Sequence, residues 1–374
     1  MSTRFPGMKF SFLRLFIAVV VVALLLVFSF IGISYQIQSM KPLRASWTGG
    51  YVDVTETPAF EFESRLGTGQ KNVVLAFVVS HDDMCEPSWG SYHTLDEADL
   101  ALDLDRRIAQ VQESGRTAVL SFGGAYNKDL ADVCSTAEMT AKAMNLAISR
   151  YEIDTIDLDI ENSSLTDVDG RVRRAEATAQ LQEEASGRGE ELAVWLTLPA
   201  DRNGLTNDGV ETVKSFLDAG VTLSGVNLMT MNFGVPSSET SMADLSQEAL
   251  EAGHSQLLRL MISRGEIITA AQMWTMMGVT PMLGQNDEQD EAFSVEDAVE
   301  LHSFAQSNNL GRISFWSLNR DRQCEANYIN WSTAVNFCSG VAQETLEFDG
   351  VLSADRDGSA FQVPDRSMEP SDPQ

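Results

Sequence analysis

Residues 154 to 161 read Asp-Thr-Ile-Asp-Leu-Asp-Ile-Glu, a run in which acids and large aliphatics alternate. Side chains alternate faces along a β-strand. Asp157, Asp159 and Glu161 therefore share one face, and Ile156, Leu158 and Ile160 the other. Three acids on one side of a short apolar strand repel one another and lose hydration together. That raises at least one pKa and leaves a proton shared in the group at neutral pH. A protonated carboxyl beside an ionised one suits cleavage of a glycosidic bond, where an acid protonates the leaving oxygen and a charge steadies the cation. A solvated acidic strand edge is the plainer reading, and the unbroken aliphatic set on the opposite face argues against it.

The spacing Asp154-x-x-Asp157-x-Asp159-x-Glu161 resembles the signature of the family 18 glycoside hydrolases, the chitinase-like (β/α)8 barrels. Three other segments agree in order. Ser121-Phe122-Gly123-Gly124 resembles the family's Ser-x-Gly-Gly segment on the third strand. Met229-Thr230-Met231-Asn232-Phe233 resembles, imperfectly, the Met-x-Tyr-Asp segment on the sixth. Ser314 to Asp321, with Trp316, resembles the last strand, whose Trp floors the sugar site. Val279 to Asp287 is similar to a Val-Thr-Pro-Met-x-Gly-Gln-Asn-Asp segment of bacterial secreted chitinases.

The resemblance implies roles. Glu161 would be the general acid and then the base. Asp159 would orient the substrate's acetamido group, whose own oxygen attacks the anomeric carbon in place of an enzymic nucleophile. Asp157 would share a proton with Asp159. Trp316, Asn232, Met231, Met229 and Gly124 would contact the sugar, with Asp154 and Ser121 structural near the site. The implied partner is chitin or another N-acetylglucosamine oligosaccharide, with no cofactor and no metal. Met231 and Asn232 stand where the family usually has Tyr and Asp, and Asn232 carries no charge, so the acid's pKa is open. Restoring Asp at 232 is expected to shift the pH profile if that side chain touches the acetamide or Glu161.

Elements must place these groups. Strand-like runs read as Trp47–Val54, Val73–Ser80, Thr117–Ala125, Thr155–Glu161, Leu192–Pro199, Gly225–Gly234, Met276–Leu283 and Arg312–Leu318. Helical stretches read as Asp96–Ser114, Thr136–Tyr151, Asp169–Ser186, Asn207–Ala219, Met242–Arg264 and Val295–Asn308. Strands alternating with helices predict an α/β fold, a closed parallel (β/α)8 TIM barrel over residues 47–340. Gly124, Glu161, Asn232 and Trp316 fall at strand C-terminal ends, where such barrels hold their sites. Only the first crossover, Thr55–Lys71, lacks a convincing helix. Asp, Glu, Ser and Pro dominate 341–374, which reads as a disordered acidic tail, with a short helix over Ala342–Phe348 as the alternative.

Leu15 to Ile33 is an apolar, charge-free run of about the ~20 residues that cross a bilayer, preceded by Arg4, Lys9 and Arg14. One transmembrane helix within 1–34 and a stalk over 35–46 are expected, with the rest exported. A cleaved signal peptide is the alternative, and no small-x-small site follows the run. The net charge of −28, with lysine only at Lys9, Lys41, Lys71, Lys128, Lys142 and Lys214, argues against nucleic acid as a partner. A monomer is expected. Four cysteines agree with export. Cys324 with Cys338 and Cys85 with Cys134 is the favoured pairing, and sequence alone does not exclude the other two connectivities.

Other chemistries fit poorly. His81, His93, His254 and His302 have no metal-ligand spacing, and neither a Gly-x-Ser-x-Gly elbow nor a P-loop is present. Trp89 and Tyr92 are candidates for stacking at outer sugar positions. A non-hydrolytic sugar-binding barrel and a hydrolase of peptidoglycan-type glycan are the competing readings.

Overall fold

The computed structural model describes residues 11–39, 45–64, 72–328 and 333–354. Its centre is a ring of parallel strands. β1 runs in two pieces, Trp47–Thr48 and Tyr51–Asp53, followed by β2 Asn72–His81, β3 Thr117–Gly123, β4 Thr155–Asp159, β5 Ala193–Asp201, β6 Leu223–Met229, β7 Met277–Thr280 and β8 Arg312–Ile313. The first piece of β1 pairs with β8 (Trp47 opposite Arg312) and the second with β2 (Tyr51 opposite Val74), which closes the ring. The strand changes neighbours at Gly49–Gly50. A Cβ on Gly50 would lie 2.5 Å from the Phe315 ring, so only glycine lets the two strands pass this closely. The eighth strand continues past its laddered residues through backbone bonds from Ser314 N to Val279 O and from Trp316 N to Pro281 O, at 2.8 and 2.9 Å.

Alternation sorts the strand residues. The outward aliphatics of β4 and β5, such as Ile156, Leu158, Leu196 and Leu198, join helix residues Ala147, Leu181 and Phe216 in one continuous core. A much smaller apolar cluster lies apart from it, formed by Tyr51, Val74, Ala76 and Val119 with Trp47, Phe77 and Trp316 against them. The interior of the ring is otherwise polar, and that is where the acids of β4 point.

The helices Ala137–Arg150, Val168–Gly187, Asn207–Asp218, Met242–Ser263 and Val295–Asn308 match the expected ones within two residues at each end. The stretch expected as one helix over Asp96–Ser114 is two, Leu95–Leu102 and Leu104–Glu113. The break is at Asp103, whose φ of 56° is left-handed. A β-hairpin arm, Met84–Trp89, folds back on β2 before these helices, a feature the sequence reading missed. Its Cys85 is bonded to Cys134, and Cys324 to Cys338, with Cα atoms 4.8 and 5.0 Å apart.

The tail expected to begin at 341 does not. A helix, Glu347–Leu352, buries Phe348, Val351 and Leu352 against the helix Val295–Asn308 and stacks Phe348 on Phe293, ring centres 6.0 Å apart. The Asp321 carboxylate accepts from the backbone N–H groups of Phe348 and Asp349. The acidic composition hid three apolar residues at helical spacing. Residues 355–374 of the expected tail lie outside the described residues, as do Arg4, Lys9 and residues 40–44 of the expected stalk.

At the N-terminus, Phe12–Ser39 is helical. Its Phe12–Phe30 portion is long and apolar enough to cross a membrane and is buried against nothing in the structure.

Candidate active site

β4 delivers its carboxyls to the C-terminal mouth of the ring, as its alternation requires. Asp157 lies deepest and is fully buried. One oxygen accepts from Tyr51 Oη at 2.8 Å and Ser121 Oγ at 2.7 Å. The other accepts from Thr197 Oγ1 at 2.6 Å and from Arg312 Nη1. None of these donors is Asp159, so the proton expected to be shared between the two aspartates has no hydrogen bond here. Arg312 is the counter-charge instead. Its guanidinium is fully buried, donates also to Ser314 Oγ and Tyr51 Oη, and stacks over Trp47 at 4.8 Å. Thr197, Asn227 and Thr280 extend this polar floor, with Asn227 Nδ2 donating to both threonine hydroxyls.

Asp159 sits above the floor, 5% exposed, with its Oδ1 buried and without a hydrogen-bond partner. Burial holds its pKa well above the usual carboxylate range, and the charges of Glu161 and Asp157 add to this against an opposing pull from Arg312. Glu161 follows at the mouth and opens the helix Asn162–Thr166 without capping it through its side chain. Burial first, and the Asp287 carboxylate second, push its pKa up to about 7. Among these acids the upward shift thus falls on Asp159 and Glu161.

The glycines of the third-strand segment make room for this arrangement. Gly123 has φ 102°, and a Cβ there would lie 2.1 Å from the carbonyl oxygen of Asp159, while Gly124 N donates to that same oxygen at 2.9 Å. A Cβ on Gly124 would strike the Phe77 ring at 2.8 Å. Phe77 in turn stacks on Trp316, ring centres 5.4 Å apart and 14° from parallel, with Tyr51 tilted against both. The peptide bonds Ala76–Phe77 and Trp316–Ser317 are cis. This pair of rings makes an apolar platform beside the acids, suited to the flat face of a sugar ring.

Met229, Met231 and Asn232 come from the end of β6 and the loop after it. Met229 and Met231 are half-buried and Asn232 is exposed. Asn232 directs its amide to Asp287, donating to Oδ2 at 3.1 Å and accepting from the backbone N–H at 2.9 Å.

Two expectations are corrected. Asp154 is exposed at the opposite end of β4, accepting from Thr155 Oγ1 at 2.8 Å. At about 3.3 Å per residue, the strand carries it roughly 20 Å from Glu161, so it is not near the site. Trp89 is wholly buried, donating to Tyr151 Oη at 2.9 Å, and cannot stack a ligand, whereas Tyr92 is exposed. Tyr51, Phe77, Arg312 and Asp287 were missed as site residues. Only Asp287, the last residue of the Val279–Asp287 segment, had a signal in the sequence. Among the described residues no group of His, Cys, Asp and Glu is arranged to hold a metal ion. A cavity of about 930 Å³ at the other end of the ring, lined by Trp47, Trp195 and Glu190, contains none of these acids.

No protein-family model matches the chain. Among curated proteins, the probable bifunctional chitinase/lysozyme of Escherichia coli (strain K12) is 34% identical over 256 residues, 66% of this chain and 28% of the relative. Endochitinase 11 of Metarhizium anisopliae is 31% identical over 294 residues, 76% of this chain and 54% of the relative. The chain thus spans about a quarter to a half of the length of the curated relatives it matches. Among solved structures, the catalytic domain of a hyperthermophilic chitinase from Pyrococcus furiosus superposes with a TM-score of 0.72 at 25% identity. The match covers 86% of this chain and 98% of that one. The catalytic domain of a family GH18 chitinase from the fern Peteris ryukyuensis shares the fold at a TM-score of 0.52 and 10% identity.

Proposed function

We propose, from the premise that the chain belongs to the family 18 glycoside hydrolases, that it cleaves β-1,4-linked N-acetylglucosamine polymers by substrate-assisted, retaining hydrolysis. The observation that carries this reading is the buried, unpartnered Oδ1 of Asp159 between the polar floor and Glu161. A polar atom so placed costs stability unless a ligand group meets it, and an acetamido N–H has the right chemistry. Glu161, its pKa lifted to about 7, donates a proton to the glycosidic oxygen as the C1–O bond breaks. The acetamido oxygen forms a bond to C1 from the opposite face, giving a cationic oxazolinium. Glu161, now a carboxylate, takes a proton from water, whose oxygen attacks C1 and reopens the ring. Two inversions leave the β-anomer. The Glu161 carboxylate left after proton donation stabilises the cationic intermediate by its charge.

The apolar N-terminal helix fits an exported protein, with the barrel outside the cell, and the absence of a small-x-small site after the apolar run favours an uncleaved anchor over a cleaved signal peptide. The E. coli relative is named as a lysozyme as well as a chitinase, so peptidoglycan is the second substrate class to assay. The test incubates the full chain in detergent with chito-oligosaccharides and with peptidoglycan and resolves the products. Release of shorter N-acetylglucosamine oligomers supports the reading. Binding of oligomers with no hydrolysis at any pH from 4 to 8 would leave a sugar-binding barrel instead.

A further inference from the structure

Glu161 stands where β4 leaves the ring, and hydrogen bonds hold the chain on both sides of it. Just before it, Ile160 N donates to Thr197 O on β5 at 3.0 Å, and Asp159 O accepts from Gly124 N after β3 at 2.9 Å. Just after it, Asn162 takes a left-handed φ of 50°, and its Nδ2 donates to Ala125 O at 3.2 Å. Glu161 itself is extended, with φ −140° and ψ 177°, so the strand runs straight to the acid and turns at Asn162. Asparagine enters the left-handed region more readily than most residues, because its short polar side chain can bond locally. Two residues further on, Ser164 Oγ donates to Asp132 Oδ2. The buried Arg174 of the helix Val168–Gly187 holds Asp132 at 3.2 Å and Asp129 at 3.1 Å. The segment after β3 that carries Ala125 is thus anchored independently of Asn162.

We propose that Asn162 is a positioning residue for the reaction: its left-handed turn and its bond to Ala125 O fix the backbone from which Glu161 reaches the glycosidic oxygen. The proposal rests on the assignment of Glu161 above. The Glu161 side chain does not cap the helix that it opens, so the direction of the acid is set by the backbone on its two sides. Alanine at 162 would lose the amide and favour a right-handed or extended φ, either of which swings the Glu161–Asn162 peptide and the acid with it. Asn162 is exposed, so its truncation empties no buried space, and the Ser164–Asp132 bond still ties the turn to the segment after β3. The variant should therefore fold, with the acid misdirected.

The test compares kcat/KM on two substrates, a chito-oligosaccharide and a nitrophenyl β-chitobioside, for the full chain in detergent. A sugar oxygen leaves only with a proton from the acid, whereas nitrophenolate needs little help. A misdirected Glu161 therefore harms the first substrate far more than the second. Asn162→Ala should lower kcat/KM about tenfold on the oligosaccharide, part of the ~10²-fold or more that a general acid contributes, and less than about twofold on the aryl glycoside. Asn162→Gly, which keeps left-handed freedom without the amide, should show the same selective loss to a smaller extent. A merely structural role would lower both substrates alike. Equal losses on the two substrates for Asn162→Ala, or parent-level activity of Asn162→Gly on the oligosaccharide, overturn the proposal. Should Asn162→Ala fail to fold, Asn162→Gly decides by the same comparison, a selective loss supporting the proposal and an equal loss or none refuting it. Glu161→Gln in the same assays tests the assignment beneath. If its loss is no larger on the oligosaccharide, or if the unsubstituted chain cleaves neither substrate, the assignment of Glu161 falls. A selective loss in Glu161→Gln with none in Asn162→Ala removes Asn162 alone.

Discussion

The proposed mechanism turns on Glu161, and its replacement is the first expectation. Glu161→Gln should reduce turnover by at least ~10²-fold, the contribution of a general acid, while the far-UV circular dichroism stays unchanged. Activity should also fall as pH rises through about 7, because the acid works protonated and is lost above its pKa. A pH-rate profile flat to pH 9 would contradict this. Deeper in the ring, Arg312→Met would leave Asp157 without its counter-charge in the floor. Breaking a buried pair from one side costs about 3–5 kcal/mol, to be read from denaturant unfolding. The β4 acids were legible because alternation within one strand places them together. Arg312 and Tyr51 were not, since they stand 155 and 106 residues from Asp157 and only ring closure brings them to it. Phe77 read as one more apolar residue of a buried strand, and nothing in its local pattern told platform from core.

At the scale of elements, strong periodicity located every barrel strand and the long helices, whose apolar faces recur at fixed intervals. What escaped was short or locally ambiguous. The arm Met84–Trp89 follows β2 after a turn at Asp82–Asp83, and its pairing is decided by contact with β2. The Glu347–Leu352 helix has six residues, and its acids outweigh its three apolar anchors in any count of composition. That helix nevertheless packs against Phe293 and the helix Val295–Asn308. Phe348→Ala should cost about 3–5 kcal/mol, the range for emptying a buried aromatic site, and lower the thermal midpoint. A change within 0.5 kcal/mol would mean that the helix is not held against Val295–Asn308.

For the molecule as a whole, the proposed anchor and the proposed chemistry belong to separate parts, the apolar N-terminal helix and the barrel. Full-length protein should sediment with membranes, and protease added to intact cells should cut the barrel's loops but leave the first fourteen residues protected. A mature N-terminus near Tyr35, with protein free in the medium, would contradict the anchor and establish cleavage. The charge of −28 should disfavour polyanions, and a barrel that bound DNA at moderate salt would contradict that reading. The fold was legible from the order of its elements, because eight strands separated by helices have few ways to bury both faces. The span and orientation of the N-terminal helix rest on a local run of sequence.

The account stands on the substrate's acetamido group acting as the nucleophile. The measurement that reaches it most directly follows full-length protein with fully acetylated and fully deacetylated chito-oligosaccharides by NMR, reading the anomer first formed. Acetylated oligomers should be cut with the β-anomer appearing first, and deacetylated oligomers should bind without being cut. Efficient cleavage of the deacetylated oligomers, or an α-anomer as first product, would contradict it.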